Sequence, residues 1–190
     1  MPASLTPARR AARLLGRVAF AGLWIYLLIK LAPHLGAVVG VETGGGEVPA
    51  YTVTTLDGRI LTADSLRGKV VLVNFWATWC PPCRIEMPAL QAMAERHRDR
   101  GLVVLGLSRD VGPEDGVRRF LEDRGITYPV AVVGRDLERA FGGVVGYPTS
   151  FLVDRTGRVR HKALGPLAMI SFEPAVRRLL SEEIARGEDP

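Results

Sequence analysis

Three patterns of apolar residues succeed one another along the chain: an unbroken run, alternation by two, and spacing by three or four. The changes between them outline the elements. Residues 18–29 are twelve apolar residues in a row. A bilayer span takes about 20 residues, so a spanning helix would have to extend over about residues 14–35, admitting Lys30, Pro33 and His34. Residues 51–55 alternate, Asp57-Gly58 is a turn signal and residues 59–62 read as the return strand, which predicts an opening β-hairpin. Residues 70–76 are almost wholly apolar, as in a strand covered on both faces. From Pro82 to about Arg100 the period becomes helical, with Met87, Leu90, Met93 and Ala94 on one side and Pro88 as a kink. A second buried strand follows at 102–107. A short helix then runs to about Arg124 with Val117, Phe120 and Leu121 inward, a third strand covers 128–133, and one or two helical turns cover 137–141. Residues 149–154 and 159–164 read as a hairpin around Asp154-Arg155-Thr156-Gly157, and residues 173–186 as a closing helix.

Strands that alternate with helices and end in a hairpin plus helix predict an α/β sandwich with a mixed central sheet. Composition fits one such domain with an appendage: 190 residues, 47% hydrophobic and 24% charged. The expected division is a signal-anchor or signal peptide over 1–41, a flexible linker over 42–50 and the domain over 51–190. The linker expectation rests on Gly44, Gly45 and Gly46, whose backbone freedom resists regular structure.

The net charge of +5 suggests nucleic acid or an anionic surface until it is placed. Arg9, Arg10, Arg13, Arg17 and Lys30 precede the first acid, Glu42, and the remaining 160 residues balance. The basic residues therefore flank one apolar segment, where they set orientation, and nucleic-acid binding loses its support. A retained anchor places the domain outside the cytoplasm on a single-pass inner-membrane protein. A cleaved signal gives a soluble exported one.

Cys80 and Cys83 are the only cysteines, too few and too close for a disulfide scaffold. At the junction of a buried strand and a helix, unpaired N–H groups and the helix dipole stabilise a thiolate. That makes Cys80 the expected nucleophile and Cys83, one turn on and less exposed, the resolving thiol. Pro81 and Pro82 suit the first helical turn. The other readings are half of a zinc site or an inert pair. Zinc needs two more ligands, and His34, His97 and His161 are not at ligand spacing. His97 and His161 read as solvated side chains, and no metal or other cofactor is expected.

The block Val73-Asn74-Phe75-Trp76-Ala77-Thr78-Trp79-Cys80-Pro81-Pro82-Cys83, with Glu86-Met87-Pro88 and later Gly146-Tyr147-Pro148-Thr149-Ser150-Phe151, resembles the thioredoxin superfamily. More narrowly, it resembles the membrane-tethered TlpA/ResA/DsbE group of thiol-disulfide oxidoreductases, over about residues 51–185. The resemblance implies a thioredoxin-like three-layer sandwich with an N-terminal β-hairpin and a central αβ insertion. It implies a redox-active Cys80–Cys83 disulfide, a cis-proline at Pro148, and substrate contacts from Trp79, Pro81, Pro82, Tyr147, Pro148 and Thr149. Asn74 departs from the buried aspartate of cytoplasmic thioredoxins and cannot titrate. Glu86 matches the glutamate of ResA-like members and takes the general acid/base role for Cys83.

The activity so implied is reduction of protein disulfides outside the cytoplasm, with apocytochrome c or copper-site proteins as substrates and a membrane electron donor of the DsbD/CcdA kind. Two alternatives use the same thiols. One is a copper or haem-assembly chaperone. The other is a peroxiredoxin-like peroxidase, suggested by Thr78 two residues before Cys80 but lacking the proline that such a block carries where Asn74 stands.

Overall fold

The computed structural model describes residues 17, 20, 22, 23, 26, 42, 43, 45–165 and 168–182. The chain divides into two units, Met1–Val38 and Val39–Pro190. In the first, Arg17, Phe20, Gly22, Leu23 and Tyr26 are helical and exposed. The rest of the expected anchor lies outside the described residues, among which no helix is long and apolar enough to cross a membrane.

The second unit runs β1 (Glu42–Thr43), β2 (Thr52–Thr54), β3 (Ile60–Thr62), β4 (Val70–Trp76), α1 (Pro81–His97), β5 (Leu102–Ser108), α2 (Asp115–Glu122), β6 (Val130–Val132), α3 (Arg135–Ala140), β7 (Thr149–Val153), β8 (Val159–Leu164) and α4 (Ala168–Ser181). The six-stranded sheet has the order β1-β8-β7-β4-β5-β6. β4 is parallel to β5 and β5 to β6, while β7 is antiparallel to β4 and β8. The sheet is therefore mixed, and the fold is thioredoxin-like. β2 and β3 form a separate hairpin closed by five residues around Asp57-Gly58.

Every residue of β4 is buried, and the period of two explains how. Val70, Leu72 and Trp76 join Cys83, Met87, Leu90 and Met93 of α1 and Phe172, Val176, Leu179 and Leu180 of α4 in one core. Val71, Val73 and Phe75 join Val53, Leu105, Leu107, Phe141 and Phe151 in a second core on the opposite face. Three layers result. Each fully buried Leu or Met contributes about 1.5–3 kcal/mol of transfer free energy. Phe120, expected inward, is half-buried and stacks on Trp76 at 5.6 Å.

α1 runs through Pro88 rather than ending there. The chain leaves it by a short 3₁₀ turn, Arg98–Arg100, and Gly101 in the left-handed region at φ 89°. α4 begins five residues before the sequence expectation and passes through Pro174. Beyond residue 182 the expected helix lies outside the described residues.

The flexible-linker expectation for 42–50 needs correction. Glu42 pairs with Lys162 and Thr43 with His161 on β8, and Glu47 bridges to Arg158. Gly45 N–H donates to the Val159 carbonyl at 3.1 Å, Val159 N–H to the Gly46 carbonyl at 3.1 Å, and Val48 N–H to the Gly157 carbonyl at 2.8 Å. A Cβ on Gly45 would stand 3.1 Å from Val159 Cβ, so glycine here permits close approach of the two segments. Backbone hydrogen bonds along the open edge of β8 outweigh the glycine entropy.

Candidate active site

Cys80 ends the loop after β4 and caps α1. Its Sγ accepts a bond from Cys83 N–H at 3.2 Å, and Pro81 and Pro82 occupy the first turn, where a missing N–H leaves no gap in the helix. The two sulfurs are joined as a disulfide. Cys80 is 4% exposed and Cys83 fully buried, so attack from outside reaches Cys80 first. Pro81 is exposed and Pro82 half-buried.

The loop before Cys80 is held from β5. Asp110 accepts Thr78 N–H at 3.0 Å, Thr78 Oγ1 at 2.5 Å and Ser108 Oγ at 2.7 Å. Sequence reasoning missed Asp110. The signal available was its place just past the carboxyl end of a buried strand, where α/β folds gather functional side chains.

Behind the disulfide lies a buried polar row. Glu86, one turn beyond Cys83 on the buried face of α1, is 3% exposed. Asn74 Nδ2 donates to Glu86 Oε1 at 2.7 Å and to Ser150 Oγ at 2.9 Å. Ser150 and Gly106 are the register partners of Asn74 on the two neighbouring strands. A Cβ on Gly106 would come within 3.0 Å of Trp76 Nε1 and 3.1 Å of a Tyr128 ring carbon, so the glycine lets both rings settle onto the sheet. Asn74 Oδ1, Glu86 Oε2, Trp76 Nε1 and the Tyr128 hydroxyl are buried without hydrogen-bond partners among the described residues. Burial pushes the Glu86 carboxyl up from 4.5 to about 7, against the opposing donation from Asn74. Burial, and then the charge of Glu86, raise the Tyr128 phenol as well. A carboxyl pushed up to about 7, one helical turn beyond Cys83, can hold or release a proton near neutral pH.

The second wall is the loop before β7. The Tyr147–Pro148 peptide is cis. Tyr147 packs edge-on against Trp79, ring centroids 5.7 Å apart, and its hydroxyl donates to Glu138 Oε1. Arg109 Nε meets the same oxygen at 2.9 Å. Trp79 is 63% exposed. Thr149, expected to face substrate, is buried and donates its hydroxyl to the Gly146 carbonyl at 2.6 Å; its side chain holds the loop instead.

The expectation of a solvated His97 is corrected too. His97 is 3% exposed, with Nε2 3.2 Å from Glu173 Oε1, because the last turn of α1 is covered by α4. His161 is half-buried on β8. Among the described residues no group of three His, Cys, Asp or Glu is placed to hold a metal ion.

Comparison with known proteins agrees with this geometry. The AhpC/TSA family profile matches residues 45–162. The thiol-disulfide oxidoreductase ResA of Bacillus thuringiensis is 32% identical over 71% of this chain and 78% of its own length. The thioredoxin-like protein YneN of Bacillus subtilis is 30% identical over 71% and 79%. Among solved structures, a thiol:disulfide interchange protein of the thioredoxin family from Chlorobium tepidum superposes with a TM-score of 0.65 at 34% identity, covering 73% of this chain and 99% of that one. With a paired Cys80–Cys83 at the mouth of a thioredoxin-like fold, the chain belongs to the AhpC/TSA family, as a thiol-disulfide oxidoreductase of the ResA/DsbE type.

Proposed function

We propose that this protein reduces disulfides of other proteins outside the cytoplasm, tethered to the inner membrane by its N-terminal segment. The observation that carries the mechanism is the Cys80–Cys83 pair at a helix N-terminus with Glu86 buried behind it. In the reduced protein, the Cys80 thiolate attacks one sulfur of a substrate disulfide, and that bond breaks with release of one substrate thiolate. Cys83 gives its proton to the Glu86 carboxylate and attacks the Cys80 sulfur. The mixed disulfide breaks, the second substrate thiolate leaves, and the Cys80–Cys83 disulfide forms. Two electrons pass from the protein's thiols to the substrate sulfurs.

Trp79, Pro81, Pro82 and the backbone of Tyr147 and Pro148 receive the substrate segment, with Thr149 bracing their loop. Resemblance to the ResA/DsbE group supports the reducing direction, a dithiol donor in the membrane of the DsbD/CcdA kind, and apocytochrome c or copper-site proteins as substrates. The test is Cys83→Ala in cells. It should accumulate mixed disulfides on Cys80, whose partners mass spectrometry identifies. Recovery of no partner would overturn a dedicated protein substrate, and a measured potential as high as that of a strong dithiol oxidant would overturn the reducing direction. Peroxide consumption by the reduced protein would favour the peroxidase alternative, and stoichiometric copper binding without thiol exchange the chaperone.

A further inference from the structure

Next to Trp79, which precedes Cys80, the β5–α2 connection, α3 and the loop before Pro148 line a cleft of about 400 Å³ that includes Val111, Val145, Tyr147, Arg109 and Arg135. Trp79, Val111 and Val145 are 63%, 95% and 87% exposed, so three apolar side chains stand open to solvent around one cleft. Such exposure costs solubility unless something covers it. The charges do not cancel. Arg109 is spent on Glu138 and on the Val133 carbonyl, and Glu138 also accepts from Tyr147. Asp136 is paired with Arg139. Arg135 lines the cleft, is exposed, and makes no ion pair or hydrogen bond among the described residues. The cleft thus combines an exposed apolar rim with one unmatched positive charge.

We infer that this cleft is a specificity subsite for substrate segments that carry an apolar side chain and a carboxylate next to the target cysteine. The apolar group covers Val111, Val145 and the Trp79 edge, and the carboxylate meets Arg135. The inference rests on the disulfide-exchange reading above and adds which disulfides are preferred. The exchange itself is unchanged: two thiols of the protein are oxidised and one substrate disulfide is reduced.

The test uses the full chain, reduced, against terminally blocked peptides with one internal disulfide and a leucine beside the first cysteine. The peptides differ only in carrying Asp, Asn or Lys at the residues flanking the cysteines. Rates of peptide reduction are normalised to the rate of the same protein with a small neutral disulfide. An exposed ion pair is worth about 0.2–1 kcal/mol, so the Asp peptide should react about 1.4- to fivefold faster than the Asn peptide. The Lys peptide should be slower still, and the differences should shrink at high salt. Arg135→Glu should invert the order, a readout that loss of packing would not produce. The same order of peptides in wild type and Arg135→Glu would overturn the subsite while leaving disulfide exchange intact. Reduction of the small disulfide but of no peptide would overturn both the subsite and the protein-reductase reading.

Discussion

Burial of the Glu86 carboxyl should cost stability once the group ionises, and Glu86→Gln isolates that cost. The carboxyl titrates at about 7 in the folded protein against 4.5 for the ordinary group. The folded state therefore holds this proton more tightly than the unfolded chain, and stability falls as pH rises through the window from 4.5 to about 7. At about 1.4 kcal/mol per tenfold in proton affinity, the loss across that window is about 3 kcal/mol. The substituted glutamine carries no titrating proton, and its amide can donate to the free Asn74 Oδ1. In urea denaturation of the oxidised protein, the wild-type unfolding free energy should drop by about 3 kcal/mol relative to Glu86→Gln between pH 4.5 and pH 8. Taking the difference between the two proteins cancels Asp57, Asp154 and Glu173. Their carboxyls are held low, so the stability they supply is lost only as pH falls through their own lowered range. The same variant should slow disulfide exchange by about 10²-fold or more, the usual contribution of a positioned acid/base. Parallel stability curves for the two proteins across pH 4.5–8 would refute the buried titrating carboxyl. Equal exchange rates would refute its role.

Three further outcomes follow from named contacts. Asn74→Ala removes a donor that favours the Glu86 carboxylate, so the titration midpoint should move up from about 7 by roughly one to two pH units, read by NMR of the glutamate side chain. Asp110→Ala leaves Thr78 N–H and two hydroxyls without their acceptor and should cost about 2 kcal/mol in denaturant unfolding. Gly106→Ala drives a methyl against Trp76, Val130 and Tyr128 and should cost about 1–3 kcal/mol, seen as a lower Tm. An unchanged Tm in that last variant would mean that the two rings have room to yield.

Much of the site was legible because its signals are local. The apolar stretch Val70–Trp76, the prolines after Cys80 and the helical spacing of Cys83, Glu86 and Met87 each read within a dozen residues, and they place the disulfide and the buried acid on one helix. Pro148 was legible only through its motif, since no periodicity marks a residue that meets the site from 65 positions away. Contacts of that range account for the rest. Ser150 reaches Asn74 across a register fixed by two strands, and Arg109, Glu138 and Tyr147 converge from three elements. His97 looked solvated because its neighbours are arginines; the covering helix lies some 75 residues later. Gly45 and Gly46 misled for a related reason. Their entropy is visible in the sequence, whereas the strand edge that compensates for it comes more than 110 residues afterwards.

That paired segment bears on how the domain is cut out of the longer chain. β6, at one rim of the sheet, has three residues and β1, at the other, has two, so neither offers a long template for another molecule. A truncation starting at Tyr51, where the hairpin begins, removes the segment that lies along six-residue β8 and bares the full strand. Such a fragment would keep its thiols and its fold yet carry an adhesive rim, open to strand exchange between copies. Starting before Glu42 keeps the rim closed, and comparing the two fragments by light scattering measures what those few residues prevent.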